Sequence, residues 1–160
     1  MRVRKRRSWK HALIALGTLA VVGGFAVWQV KRWTCRSTHE AVTYVGAIAR
    51  GAVAAYLREQ PDGSHQLCPS TRDPVPSDRP RNKYQPRDDE WEAAGFFCLR
   101  FDSKSTQYCQ YGYEADSAGF VAWGRCDPDE DGIVSEYRLR GRVVGADVNV
   151  DDLEVTNEGE

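Results

Sequence analysis

Acidic residues are missing from the first 36 positions of this 160-residue chain, which hold nine of its 22 Lys and Arg. All 23 Asp and Glu follow, against 13 basic residues, so a body of net charge −10 stands behind a basic lead. That excess of acid argues against nucleic-acid binding by the body. Histidine is scarce: only His11, His39 and His65 occur. No carboxylate pair or nucleophile motif stands out beside them, so an enzyme is not expected. No C-x-x-C occurs among Cys35, Cys68, Cys98, Cys109 and Cys126. His65, three positions before Cys68, finds nothing to complete a ligand set, and a zinc site is not expected. Charged residues at 28% and aromatics at 11% exclude a disordered, a collagen-like or a multi-span membrane chain.

What the lead does hold is an uncharged run, Ala12 to Val30 (ALIALGTLAVVGGFAVWQV), of 19 residues. A bilayer-crossing helix needs about 20. Trp9, Trp28 and Trp33 flank it, where interfacial aromatics belong. Arg2, Arg4, Lys5, Arg6, Arg7 and Lys10 precede it, and Lys31, Arg32 and Arg36 follow. The imbalance predicts a single-pass anchor over 12–30 in contact with membrane lipid, with residues 1–11 on the cytoplasmic side and the body outside. A cleaved signal peptide is disfavoured, because the run is long and its end, Trp-Gln-Val-Lys-Arg-Trp, offers no small-x-small site.

All five cysteines follow that run, so this topology predicts disulfides. The segments 107–115 (QYCQYGYEA) and 120–126 (FVAWGRC) are joined by Asp116-Ser117-Ala118-Gly119. Folded as a hairpin with Ala115 opposite Phe120, they set Tyr113 against Ala122, Tyr111 against Gly124 and Cys109 against Cys126. Directly opposed antiparallel residues have Cα atoms about 4.5–5.5 Å apart, within disulfide range. Cys68 and Cys98 are then left to pair. Cys35 is odd, which leaves an intermolecular bond, and so a dimer, or a free thiol open.

Within the body, Ser37-Thr38-His39-Glu40 has the S-x-x-E form of a capping box and opens an amphipathic helix within 31–60. Val45, Ile48, Ala49, Ala52, Val53, Tyr56 and Leu57 share one face. Gly46 and Gly51 lower helix propensity and point to close packing. Residues 61–90 carry six of the seven prolines and read as an irregular connector. Residues 91–146 read as antiparallel sheet. Gly95–Phe101 (GFFCLRF) is its first strand, with Phe97, Leu99 and Phe101 on one face. The hairpin follows, then Ile133–Leu139, with Ile133, Tyr137 and Leu139 on one face. Four strands and one helix make an α+β domain. Tyr108, Tyr111, Tyr113 and Trp123 read as core or cross-strand pairs rather than a sugar-stacking surface. Residues 147–160 are acidic and read largely as a frayed tail.

Asp127-Pro128-Asp129-Glu130-Asp131-Gly132 follows D-x-D-x-D-G spacing. Carboxylates at positions 1, 3 and 5 converge on a cation when glycine allows the turn. Ile133 would add its carbonyl, and Ser135, at position nine, a ligand through water. Position twelve is Arg138, where an EF-hand needs Glu, so a calcium turn would need another ligand to complete it.

Taken in order, EAVTYVGAIARGAVAAYLREQ, HQLCPS, KYQP, GFFCLRF, QYCQYGY and FVAWGRCDPDEDGIVSEY resemble the globular part of Gram-negative type IV pilin-like proteins. The resemblance covers about Glu40 to Val155. It implies an amino-terminal helix packed on a four-stranded antiparallel sheet and a Cys68–Cys98 bridge. It also implies calcium at Asp127, Asp129 and Asp131, an inner-membrane anchor with a periplasmic body, and pilin-like or secretion-system subunits as partners. The chain departs from the family at its lead: Gly24-Phe25 is present, but Gln29 stands where pilins carry Glu. Prepilin cleavage and polymerisation therefore do not carry over. The expected function is a non-catalytic accessory or derived component of a pilus- or secretion-type assembly. The alternative is a periplasmic calcium-dependent binding or sensor module outside any filament.

Overall fold

The computed structural model describes residues 23–25, 37–58, 60–61, 63–80, 83–127 and 130–157. The chain divides into two units, Met1–Trp33 and Thr34–Glu160. In the first, only 23–25 are described, and they are helical and exposed. The rest of the predicted anchor over 12–30 lies outside the described residues, as does Cys35. The single-pass anchor and the inner-membrane placement drawn from it are corrected: among the described residues no helix is long and apolar enough to cross a membrane. Run length and flanking charge set only a necessary condition for a span. The one long helix described is amphipathic, with its apolar side spent on a sheet rather than spread around the axis.

That helix, α1, covers residues 37–56. Ala41, Val45, Ile48, Ala49, Ala52, Ala55 and Tyr56 are buried at helical spacing. A short helix α2 spans Glu90–Ala93. The strands are β1 (Cys109–Ala115), β2 (Gly119–Cys126), β3 (Ser135–Val144), β4 (Asp147–Val150) and β5 (Glu154–Thr156). All pairings are antiparallel, in the order β1-β2-β3-β4, with β5 on the same edge of β3 as β4.

Four sequence expectations change here. The sheet has five strands, not four. Gly95–Phe101 is not a strand but a run of tight turns. Leu99 N–H donates to the Phe96 carbonyl and Arg100 N–H to that of Phe97, both at 3.0 Å. Gly95 and Arg100 take positive φ, 100° and 51°. Phe96 and Leu99 are buried while Phe97 is 75% exposed, a spacing of three where a strand needs two. The last strand of the predicted set starts at Ser135, and Ile133 is left exposed. The supposed frayed tail supplies β4 and β5, because Val148 is buried and Leu153 packs on the core.

The core lies between α1 and one face of the sheet. Tyr111, Tyr113 and Tyr137 are fully buried there, each worth roughly 1.5–3 kcal/mol as buried aromatic surface. The Tyr44 and Tyr111 rings lie 5.0 Å apart. At one end of the helix the Tyr137 hydroxyl donates to Thr38 Oγ1 at 3.0 Å. At the other the Tyr56 hydroxyl donates to the Gly145 carbonyl at 2.8 Å. The helix thus runs along the strands from the start of β3 to the turn after it. Gly51 lets it come close to the turns: a Cβ there would stand 2.3 Å from the Leu99 carbonyl oxygen. Gly46 faces outward, with only the Arg50 side chain near it.

The proline-rich segment is tied down rather than loose. Val75 exchanges both backbone hydrogen bonds with Tyr111, each 2.9 Å, and Thr71 N–H donates to the Tyr113 carbonyl. These contacts satisfy the outer edge of β1, which would otherwise be open to another chain.

Candidate functional site

Both predicted disulfides form, Cys68–Cys98 and Cys109–Cys126. Cys109 stands opposite Cys126 in the β1–β2 register, with Cα atoms 4.4 Å apart. This bridge is buried among core residues. The other is different in kind, since it joins the start of the proline-rich segment to the turns after α2.

Beside Cys98 opens a groove of about 870 Å³. Its walls come from the end of α1 and the turn after it (Ala55, Arg58), from Gln66, Leu67 and Pro69, from α2 (Trp91, Glu92) and from the turns (Phe97, Arg100, Phe101, Asp102). Each wall is fixed for a local reason. The Tyr84 hydroxyl donates to the Glu90 carboxylate at 2.6 Å, which pins the start of α2. Burial, and then the Glu90 carboxylate, push the Tyr84 hydroxyl up to about 12. Trp91 Nε1 donates to the Ser103 carbonyl at 3.0 Å, and its ring meets Phe96 and Phe101 edge-on at 4.9 Å. Arg58 reaches the Cys98 carbonyl at 3.4 Å. Phe97 projects at the rim.

Glu40 is the second notable group. Its carboxylate accepts from Tyr108 N–H at 2.9 and 3.1 Å and from the Tyr111 hydroxyl at 2.8 Å. Burial raises its pKa above the ordinary value, against the lowering effect of those donors. The capping-box reading is thereby corrected: Glu40 turns onto β1 and fastens α1 to the sheet. The signal for this in the sequence was a carboxylate on the apolar side of an amphipathic helix.

The opposite face of the sheet is polar. Arg125 and Arg138 converge on Glu136 at 2.8 and 2.9 Å, Arg140 pairs with Glu154 and Arg142 with Asp151. Arg125 also stacks 4.5 Å over the Trp123 ring, which lies across Gly112 where any Cβ would clash.

The acidic loop is only partly described, for Asp129 lies outside. Asp127 faces Arg79 at 3.7 Å, and its Oδ1 is buried with no partner among the described residues. Asp131 Oδ1 accepts from Ile133 N–H at 2.7 Å. Ser135 is buried, and its hydroxyl donates to the Asn157 carbonyl at 2.7 Å. Among the described residues no three His, Cys, Asp or Glu gather to hold a metal. Of the predicted calcium set, then, Asp127 offers an unspent oxygen while Asp131 and Ser135 are engaged within the chain.

Compared with protein-family models, with curated proteins and with solved structures, the chain matches none. Phe97, Arg58 and Arg100 carried no motif in the sequence; the only signal was a large aromatic beside a cysteine, three positions before an arginine.

Proposed function

We propose that the body is a pilin-like α+β module with no chemistry of its own, acting as an accessory or derived component of a pilus- or secretion-type assembly through contacts with that assembly's subunits. The observation that carries this reading is α1 laid along one face of an antiparallel sheet and fastened there by Glu40. The disulfide-closed segment between helix and sheet supports it.

Deleting the gene in its source cell, then shearing and imaging surface filaments and assaying secreted protein, tests the reading. Loss of either, restored by the wild-type copy, supports it. Filaments and secretion both unchanged overturn it. A second reading, a calcium-dependent binding module outside any filament, is favoured by the unpartnered Asp127 Oδ1. It predicts a rise in melting temperature at roughly millimolar calcium, abolished by Asp127→Asn.

A further inference from the structure

The two edges of the sheet are finished differently. Val75 lies outside β1 and exchanges backbone hydrogen bonds with Tyr111, and Tyr84 does the same with Gln107 just before the strand. Among the described residues no chain lies outside β4. In an antiparallel ladder successive residues turn their backbone groups to opposite sides. Asp151 N–H donates to the Arg140 carbonyl at 2.9 Å, so Asn149 and Asp147, two and four positions back, also face β3. Val148 and Val150 therefore turn their N–H and C=O groups outward. The Val148 N–H is taken by Asp147 Oδ1 at 2.7 Å, which leaves the Val148 carbonyl and both groups of Val150 on the open edge. The open stretch has a definite end. Glu154 stands opposite Arg138, so Asp152 and Leu153 together oppose Leu139, a bulge that interrupts the edge before β5.

Side chains along this edge are sorted by face. Val148 and Val150 stand opposite Val143 and Gly141 on the helix side, and Val150 is 44% exposed. On the outer face Arg138, Arg140 and Arg142 form a basic row along β3, and Asp147 and Asp151 an acidic one beside it. Opposite charges on neighbouring strands attract and like charges repel. A carboxylate on this face serves cations from two strands, as Glu136 does for Arg125 and Arg138. Asp151 is met by Arg142 from the β3 side, and the Asp147 carboxylate touches only the Val148 N–H. Past Arg142 the chain has six acidic residues and no Lys or Arg. A second copy pairing through β4 would set acids beside acids, so the charge that keeps copies apart favours a strand that brings cations.

We propose that β4 is a docking edge for an extended segment of a partner protein in which apolar and basic residues alternate. The segment adds as a further strand, bonding the Val148 carbonyl and both backbone groups of Val150. Its apolar side chains cover Val150 on the helix side, and its Lys or Arg side chains lie beside Asp147 and Asp151. Main-chain bonds supply affinity and the alternation supplies specificity. The proposal rests on this edge alone and stands or falls independently of the assembly reading.

The test uses the full chain and the capped peptide Lys-Val-Lys-Val-Lys-Val-Lys, whose alternation reads the same in both directions. Controls replace Lys by Glu, or group the valines together at the same composition. Two further analogues are N-methylated, one at the valines and one at the lysines. In an added strand one of these sets of N–H groups faces β4 and the other faces solvent. Amide chemical shifts and hydrogen exchange follow binding. The alternating basic peptide should bind best, with shifts centred on residues 147–152 and slowed exchange at the Val150 amide. One N-methylated analogue should fail and the other bind. Val150→Pro removes the outward N–H at an edge position that accepts proline, and should weaken binding about tenfold. The Asp147→Asn/Asp151→Asn double variant, which leaves the backbone intact, should weaken it about threefold or more. Glu114→Gln on β1 should leave it unchanged. The proposal is overturned if the alternating peptide does not bind at millimolar concentration, or if the shifts fall elsewhere. It is overturned if both N-methylated analogues bind like the parent, which would mean attraction by charge without strand addition. Both variants binding like wild type overturn it too, as does a dimer of the chain that protects the Val150 amide without peptide.

Discussion

The two faces of one sheet treat a glutamate in opposite ways. Glu40 reaches the inner face from α1, is largely desolvated, and has its pKa raised by burial despite donors from Tyr108 and Tyr111. Glu136 projects from β3 onto the outer face. Partial burial pushes it up too, but the hydrogen bonds and charges of Arg138 and Arg125 outweigh that and leave it lowered. The inner face is held by packed tyrosines, the outer by exposed ion pairs. Burial is worth kilocalories per side chain, whereas an exposed pair contributes about 0–1 kcal/mol. The stability of the domain is therefore expected to lie almost wholly on the helix side.

Removing inner-face volume is the strongest test of that asymmetry. Tyr137→Ala should cost about 3–5 kcal/mol in urea unfolding, whereas Arg140→Ala on the same strand should cost under about 1 kcal/mol. Similar losses from the two would refute it. Next comes the braced segment. The Cys68→Ser/Cys98→Ser double variant should lose about 3–4 kcal/mol on the chain-entropy account of a loop this long. A loss near zero would mean that the hydrogen bonds to Tyr111 and Tyr113 restrain the segment without the bridge. Smaller again is Gly51→Ala. Added volume would force the Leu99 backbone away, for about 1–3 kcal/mol, while Gly46→Ala, facing outward, should stabilise the helix by up to about 1 kcal/mol.

Local signals in the sequence carried the parts of this fold that are themselves local. The β1–β2 hairpin was legible because a short turn and alternating aromatics fix a register, and that register alone brings Cys109 to Cys126. The buried face of α1 was legible from its period. Gly95–Phe101 was misread because an aromatic-rich run looks like a strand at either spacing. What decides it is tertiary: Phe96 and Leu99 go into the core, and the disulfide turns the chain. β4 and β5 were missed because strands of four and three residues, set in an acidic stretch, have no pattern until β3 lies beside them. The groove was illegible for the same reason: residues as far apart in sequence as Arg58 and Arg100 come to line it only through folding. The apolar run at 12–30 lies almost wholly outside the described residues, and among those described no helix is long and apolar enough to cross a membrane.

The smallest effect is the one that most directly separates the two faces, because it is read from the pH dependence of stability rather than from its size. A carboxylate whose folded pKa is raised binds its proton more tightly when folded, so its contribution is complete below the unfolded value and is lost as pH rises through the folded one. For Glu40 that window opens at the ordinary 4.5 and extends upward. Glu136 is the reverse: its contribution is present above 4.5 and is lost as pH falls through its lowered folded value. Comparing wild type with Glu40→Gln, the wild-type curve should fall relative to the variant above 4.5. Comparing it with Glu136→Gln, the wild-type curve should fall relative to the variant below 4.5. Urea unfolding of the three proteins across both windows reads this. If both differences appear on the same side of 4.5, burial does not govern Glu40, and the distinction drawn between the two faces fails at the residue that fastens α1 to the sheet.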